Sequence, residues 1–478
     1  MTKLVPTIWL EIHVRVKSET KLFCSCKNAV ELANEPNINV CPICMWFPWM
    51  LPTLNEEVVK LWLLWGMAMQ CEVNKISRFD RKSYFYPDLP SAYQITQMYE
   101  PIVGRGKVKT IVNGEEKEFS IHHMHLENDA WKLIHAWGKT LLDFNRAGSP
   151  LMEIVTEPVF HEKEEVLEFL RELQKIFRAA WVSNADMEKW QLRCDVNISV
   201  APEWSSELWG RTETKNVNSF ASIWRLIDYE VKRQISIIEK WWKIDQETRW
   251  WDDDAWVSSA QRSKEDAMDY RYFPEPDLLP IELEDDFIEN LRKQLPELPI
   301  EKRIRYLNNF KLSEDDARIL TSSRDLSEYF DKLVELTWDS KKSASYIITI
   351  LLALMNESED IKEVSNFKFN IEELAKVIDL VNHDELSSTN SKQVVEELFN
   401  NWWEADIIVD ENNLRQKNDM WALESIVDQV LAENTKQVED YKAWNENIFW
   451  FFVWQCMKAS KGQGNPKIFN ELLKERLK

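Results

Sequence analysis

Trp9-Leu-Glu-Ile-His-Val14 and His123-Met-His-Leu-Glu127 alternate apolar residues with carboxylates and imidazoles. In an extended strand every second side chain returns to the same face. Each stretch therefore reads as a strand with one apolar side and one side able to ligate. The same grouping recurs in Glu153 with Glu157, in Asp195-Val-Asn197, and in Glu213-Thr-Lys215 followed by Asn216. A β domain in water usually hides one face and scatters charge over the other. Here the polar class is rich in hard-cation donors, and oxygen ligands with one or two imidazoles suit Mg2+ or Mn2+ completed by substrate phosphates. That points to a nucleotide site, although each pair alone also reads as solvated surface. The chain has no Walker-type phosphate loop and no kinase loop set, so ATP chemistry here needs another cradle.

Short alternating segments, prolines and turn signals fill residues 1–290 and predict a mainly antiparallel β domain with inserted helices. One inserted helix is expected from Lys163 onward, where Val166, Phe169, Leu170, Leu173, Ile176 and Phe177 recur at helical spacing as a core stripe. The prolines of PEPDLLP at 274–280 and LPELP at 295–299 impose extended backbone and mark a boundary. Beyond it, Ile371, Leu374, Ala375, Ile378 and Val381 form one helical stripe, and Leu423, Ile426, Val427, Val430 and Leu431 form another. With the polar segment Asn400 to Lys417 as a connection, these predict an all-α middle domain over 291–405 and a small all-α tail domain over 406–478. The fold class is α+β.

At 478 residues the chain exceeds one ordinary core. The N-terminus carries no secretory signal pattern, and the longest apolar stretches, such as Tyr346 to Met355, fall short of the ~20 residues that span a bilayer. A cytoplasmic protein without membrane segments is expected. A net charge of −22 argues against a generic nucleic-acid coat. Any RNA contact must be local, and Lys458 to Lys478, with six basic and two acidic residues, is the candidate unless it is a solvated helix face.

Seven cysteines are too few for a disulfide scaffold. Cys24-Ser-Cys26 and Cys41-Pro-Ile-Cys44 give two close pairs separated by a loop, the spacing that wraps four thiolates around a tetrahedral zinc ion. An all-sulfur shell leaves no open position, so the site reads as structural. Cys71, Cys194 and Cys456 remain; Cys194 is conceivable as a nucleophile, though a lone strand cysteine is more often a small buried hydrophobe.

The chain holds 24 tryptophans against 9 glycines, where glycine normally makes up about 7% of residues. The pairs Trp241-Trp242, Trp250-Trp251 and Trp402-Trp403 stand among charged, turn-like neighbours where glycine is expected. The reading that fits is that many of these positions are glycine codons read as tryptophan, as happens when UGA reassigned to glycine is translated with another code.

Longer motifs carry a resemblance. Trp9 to Val14, Leu22-Phe-Cys-Ser-Cys26, Asn39-Val-Cys-Pro-Ile-Cys44, Phe79 to Pro90, His125-Leu-Glu-Asn-Asp129, Asp143-Phe-Asn-Arg146, Leu151 to Pro158, Leu192 to Asn197, Thr212 to Ser219, Asp269 to Asp277 and Met457 to Gly462 together resemble the B subunit of the glutamine-dependent Asp/Glu-tRNA amidotransferases. The similarity runs from end to end. It implies a catalytic, zinc-stapled cradle domain, a helical middle domain and a tRNA-binding tail. It also implies a heterotrimer, in which an amidase-type A subunit frees ammonia from glutamine and a small C subunit wraps the A–B contact. The implied reaction is that of a carbon–nitrogen ligase: with ATP and Mg2+, the side-chain carboxylate of Glu-tRNA(Gln) or Asp-tRNA(Asn) is phosphorylated and then amidated.

Matched residue by residue, the resemblance implies Glu11, His13, Glu127 and Glu153 as magnesium ligands. Lys82, Lys215 and Arg193 become phosphate contacts, and Lys458, Lys461 and Lys467 contacts to the tRNA backbone. The alternative is a non-catalytic, zinc-containing tRNA-binding scaffold of the same complex. The family pattern has glycine where this chain has Trp9, Trp46, Trp49, Trp131, Trp190, Trp450 and Trp454, and a Lys-Gly pair near Ser91-Ala92. Overpacking costs about 1–3 kcal/mol per site, so genuine tryptophans are expected to block the pocket.

Overall fold

The computed structural model describes residues 3–477 apart from 29–34, 86–88, 90, 137, 206, 264–269, 402–403, 417–419, 443–447 and 461–462. It divides into two compact units, Met1–Lys302 and Arg303–Lys478.

The first unit is built on an eight-stranded sheet of β1 (Leu4–Arg15), β2 (Gly106–Val112), β3 (Glu115–Asn128), β4 (Pro150–Thr156), β5 (Leu192–Pro202), β6 (Arg211–Lys215), β7 (Glu247–Asp252) and β8 (Val257–Ser263). Their spatial order is β8-β7-β6-β5-β1-β4-β3-β2. Neighbours are antiparallel except β6 and β7, which run parallel. The period-two pattern decides the two faces. Ile8, Leu10, Ile12 and Val14 of β1, Met152 and Ile154 of β4, and Val196, Ile198 and Val200 of β5 are fully buried in one core. Each such side chain contributes about 1.5–3 kcal/mol, so a one-residue slip of β1 would exchange its apolar row for Trp9, Glu11, His13 and Arg15.

The core face is covered by α1 (Glu56–Ala68), α2 (Lys163–Ala179) and α3 (Phe220–Glu239). The stripe expected from Lys163 is the buried side of α2, with Val166, Phe169, Leu170, Leu173 and Phe177 fully enclosed and Ile176 nearly so. Glu165 reaches back to the Glu162 amide at 3.1 Å and starts this helix. Trp65 of α1 stacks on Phe177 at 4.7 Å between centroids.

The second unit is helical and holds two apolar cores. The first gathers α4 (Arg324–Thr337), α5 (Ile371–Asn382), α6 (Ser388–Asn401) and α7 (Ala405–Glu411). Its Ile371, Leu374 and Ile378 are the buried side of the expected stripe. Part of the polar connection is helical: within α7, Ala405, Ile408 and Val409 are fully buried in this core. The second core joins α8 (Met420–Glu433), α9 (Phe449–Ala459) and α10 (Pro466–Arg476) through Leu423, Val427, Phe452 and Phe469. The mixed α+β class is thus observed, and no helix of the described residues is long and apolar enough to cross a membrane.

The backbone bears directly on the tryptophan excess. Trp46, Trp49, Trp181, Trp190, Trp241, Trp256 and Trp338 all have φ between +55° and +71°. A side chain with a Cβ pays about 1–2 kcal/mol in that left-handed region, and glycine pays nothing. Trp49, Trp241 and Trp338 are also 94%, 95% and 91% exposed, so they pack no core. The Trp250-Trp251 pair departs from the turn-like reading: it lies in β7, with Trp251 buried and Trp250 outward. Trp402-Trp403 lies outside the described residues.

Candidate active site

The polar face of the large sheet assembles the site across adjacent strands. His125 on β3 stands opposite Glu153 on β4, Glu153 opposite His13 on β1, and His13 opposite Arg193 on β5. Two residues back along β1, Glu11 faces Asp195 of β5. His13 Nε2 is the hub, 3.4 Å from Glu153, 3.8 Å from Glu127 and 4.0 Å from Glu11. The structure therefore brings Glu11, His13, Glu127 and Glu153 together, and ligand atoms of Glu11, His13 and Glu153 lie within 4.8 Å of one another.

The charges of this cluster are interlocked. Burial opposes ionisation of Glu153, but the charges and hydrogen bonds of His125 and His13 outweigh it and hold this carboxylate well below its usual range. Burial likewise disfavours charged His13, yet its hydrogen bond to Glu153 and the charges of Glu153, Glu127 and Glu11 raise it to about 9. Glu11 is pushed up to about 7, first by burial and then by Glu153. Glu127 Oε2 is buried without a hydrogen-bond partner among the described residues. An orphaned buried carboxylate oxygen beside other carboxylates fits a divalent cation.

Cationic side chains line a cavity of about 490 Å³ together with this cluster. Lys82 enters from a separate short strand, Asp80–Ser83; burial favours its neutral form, but Glu127 and Glu153 outweigh that and raise it above its ordinary value. Lys215 lies 2.5 Å from Asp195 and 2.6 Å from Glu213. Arg193 lies 3.6 Å from Asp129. The expected pocket residues Glu11, His13, Glu127, Lys82, Lys215 and Arg193 all line one cavity. Trp190 and Trp250 also line it without closing it, so the expected blockage is not seen.

Two cavity residues were not singled out from the sequence. Asp129 is buried and lies 3.2 Å from Arg146, whose Nε–H donates to the Ala130 carbonyl at 2.9 Å. Both ended motifs that carry the resemblance, Asp129 after His125-Leu-Glu-Asn and Arg146 after Asp143-Phe-Asn, and that position was the available signal. Cys194 is 1% exposed and burial drives its thiol strongly upward, so it is a core side chain and not a nucleophile.

The sulfur atoms of Cys24, Cys26, Cys41 and Cys44 lie within 4.8 Å of one another, as a tetrahedral ion requires. Cys44 is pulled down to about 5, chiefly by its hydrogen bond from Cys24, with the Cys41 amide and Lys21 adding to it. Trp46, just past the second pair, is one of the residues held at positive φ. In the tail, Lys467 is committed to Asp384 at 2.7 Å and Lys458 lies over the Trp454 ring at 5.3 Å. Lys461 lies outside the described residues.

The first unit is thus a mainly antiparallel sheet that carries carboxylate, imidazole, lysine and arginine side chains around one cavity and a cluster of four cysteines, and the second unit is helical. A family described as the GatB/GatE catalytic domain matches residues 6–289, and one described as the GatB domain matches residues 328–477. The chain is 43% identical over 473 residues to a protein of Caldicellulosiruptor bescii, covering 98% of each chain. It is 43% identical to one of Persephonella marina over 99% of each, and 41% to one of Clostridium tetani over 98% of each. All three are named as the B subunit of aspartyl/glutamyl-tRNA(Asn/Gln) amidotransferase. The chain belongs to this family of amidotransferase B subunits.

Proposed function

We propose that this chain uses ATP to phosphorylate the side-chain carboxylate of a glutamate or aspartate misacylated onto tRNA(Gln) or tRNA(Asn), and presents the product to ammonia. The observation that carries the reading is that Glu11, His13 and Glu127 line one cavity with Lys82, Arg193 and Lys215, while Glu153 backs His13 at 3.4 Å. Four anionic or imidazole donors beside fixed cations suit a phosphoryl group and its counter-ion.

Glu11, His13, Glu127 and Glu153 would hold Mg2+, which when bound neutralises the phosphoryl oxygens of ATP. Lys215, Arg193 and Lys82, which line the same cavity, would orient those oxygens. A carboxylate oxygen of the substrate attacks the terminal phosphorus and ADP departs. Ammonia then attacks the acyl carbon, and the carbon–oxygen bond to phosphate breaks. An amidase-type A subunit would supply the ammonia, with a small C subunit completing the heterotrimer. Among the described residues Cys194 is buried and does not serve that task.

The four cysteines would hold zinc as a staple, with no part in the reaction. In this reading residues 1–290 are the catalytic domain, 291–405 a helical spacer, and 406–478, through Lys458, Lys461 and Lys467, a tRNA contact. Reconstituted trimer carrying Glu11→Ala, assayed for ADP and amidated tRNA, tests it. Loss of both with tRNA binding intact is expected, and unchanged turnover would leave the chain as a tRNA-binding scaffold.

A further inference from the structure

Beside the hub around His13 the same sheet face carries a second group of donors. His123 and His125 project from β3 two residues apart, their rings nearly parallel at 7° with centroids 5.5 Å apart. Glu153 of the neighbouring strand completes the set, and one ligand atom from each of the three lies within 4.8 Å of the others. Bonds of about 2.0–2.2 Å from nitrogen and oxygen to one first-row ion bring donors to within about 4.4 Å of one another, so small side-chain adjustments of this set suffice to bind one.

We propose that His123, His125 and Glu153 form a second cation site, for a divalent ion of the zinc class, adjoining the cluster of Glu11, His13 and Glu127. Further observations support it. His125 is 6% exposed, and its Nδ1 is buried with no hydrogen-bond partner among the described residues. His125 Nε2 lies 3.0 Å from Glu153 Oε2, the same oxygen that lies 3.4 Å from His13. Glu153 is therefore common to both groups, as a carboxylate between two ions is. Finally, the register of β3 against β4 shifts between Ile121 and His123. Such a bulge re-aims side chains next to functional sites. His122 shares a hydrogen bond with His123 through their Nδ1 atoms at 2.5 Å, which leaves the other ring nitrogen of His123 for a ligand.

Two imidazoles and one carboxylate are softer than the oxygen-rich group around Glu11, so the two sites differ in preference: zinc-class ions for the former, magnesium for the latter. Three protein donors also leave a coordination position open. A single ion at the His13 hub would account for His125 as a mere orienting partner of Glu153, but gives the parallel His123 ring no task.

The test is equilibrium dialysis of the full chain against Zn2+ in excess Mg2+, with metal content read by mass spectrometry. The wild-type chain is expected to retain zinc beyond that held by the cysteines. His123→Gln should lose about one equivalent, Cys41→Ser with Cys44→Ser a separate one, and Glu11→Gln none. His123 is half-buried at the sheet surface, and circular dichroism checks that its variant folds. X-ray absorption of the wild-type zinc reads the site without any variant: a mixture of sulfur and nitrogen–oxygen shells supports it. A sulfur-only shell, unchanged zinc in His123→Gln, or loss in Glu11→Gln but not in His123→Gln overturns it. The outcome is independent of whether the cavity cleaves ATP.

Discussion

His13 Nε2 lies 3.4 Å from Glu153 Oε2, and the two residues are direct partners across β1 and β4. Backbone register, not a flexible loop, therefore fixes the distance between the central imidazole and a deeply buried carboxylate of the site. The pairing also sets how the site responds to protons.

Magnesium affinity should rise with pH. His13 is raised to about 9 by its carboxylate neighbours despite burial, and Glu11 to about 7 by burial and Glu153. Both folded values exceed the unfolded ones of about 6.5 and about 4.3. In the metal-free chain their contribution to stability is thus full below the unfolded values and lost as pH climbs through about 7 and then about 9. A cation needs both groups deprotonated. Titration calorimetry should show Mg2+ binding more tightly at pH 9 than at pH 6, with a larger Mg2+-induced gain in thermal midpoint; a flat profile would place the ion elsewhere.

Glu153→Gln removes the charge shared by both imidazoles. ADP formation by the trimer with Glu-tRNA is expected to fall by about a hundredfold or more, since a metal supplies several kcal/mol and each 1.36 kcal/mol is tenfold. Retained turnover would show that this carboxylate holds no catalytic ion.

Lys215→Met should raise KM for ATP and lower kcat, together by about 10–1000-fold in kcat/KM. The variant also leaves Asp195 and Glu213 without the ammonium that lies 2.5 and 2.6 Å away. Lys215→Arg keeps the charge and should recover part of the loss. Equal defects in both variants would assign Lys215 to packing.

Cys41→Ser should release the staple zinc and lower the thermal midpoint by about 5–10 °C, because metal binding energy is folding energy. Saturating zinc should not restore it. A midpoint unchanged from wild type would show that the four cysteines hold no stabilising ion.

The tryptophans at positive φ predict a difference in the native protein itself. Intact mass from the source cells is expected to be lower than the written sequence gives, by the tryptophan-to-glycine difference at each recoded position. In the chain as written, Trp190→Gly and Trp241→Gly should each stabilise by about 1–2 kcal/mol, the cost of a Cβ in the left-handed region. A mass matching the written sequence would refute the recoding.

Much of this was legible because strands alternate. Glu11-Ile-His13 and His125-Leu-Glu127 declared a polar face from spacing alone, and the stripe after Lys163 declared α2. What spacing could not supply is which strands become neighbours. The meeting of Glu153 with both His13 and His125 depends on β4 lying between β1 and β3, a long-range choice that no local pattern records. Asp129 and Arg146 went unassigned for the same reason, since their contact forms through a turn and not along a strand. The α7 helix was missed because it is only seven residues long and set among polar neighbours, and burial of Ala405, Ile408 and Val409 becomes visible only once the surrounding helices are in place.

The central position of β1 between β4 and β5 has a consequence during synthesis. Glu11 and His13 leave the ribosome early, yet the strands that flank them and the Lys215 ammonium are made much later. Pairings this distant along the chain form slowly. A nascent or truncated product thus carries Glu11 and His13 with no cavity around them, and their cluster assembles only after the strands on both sides of β1 have been made.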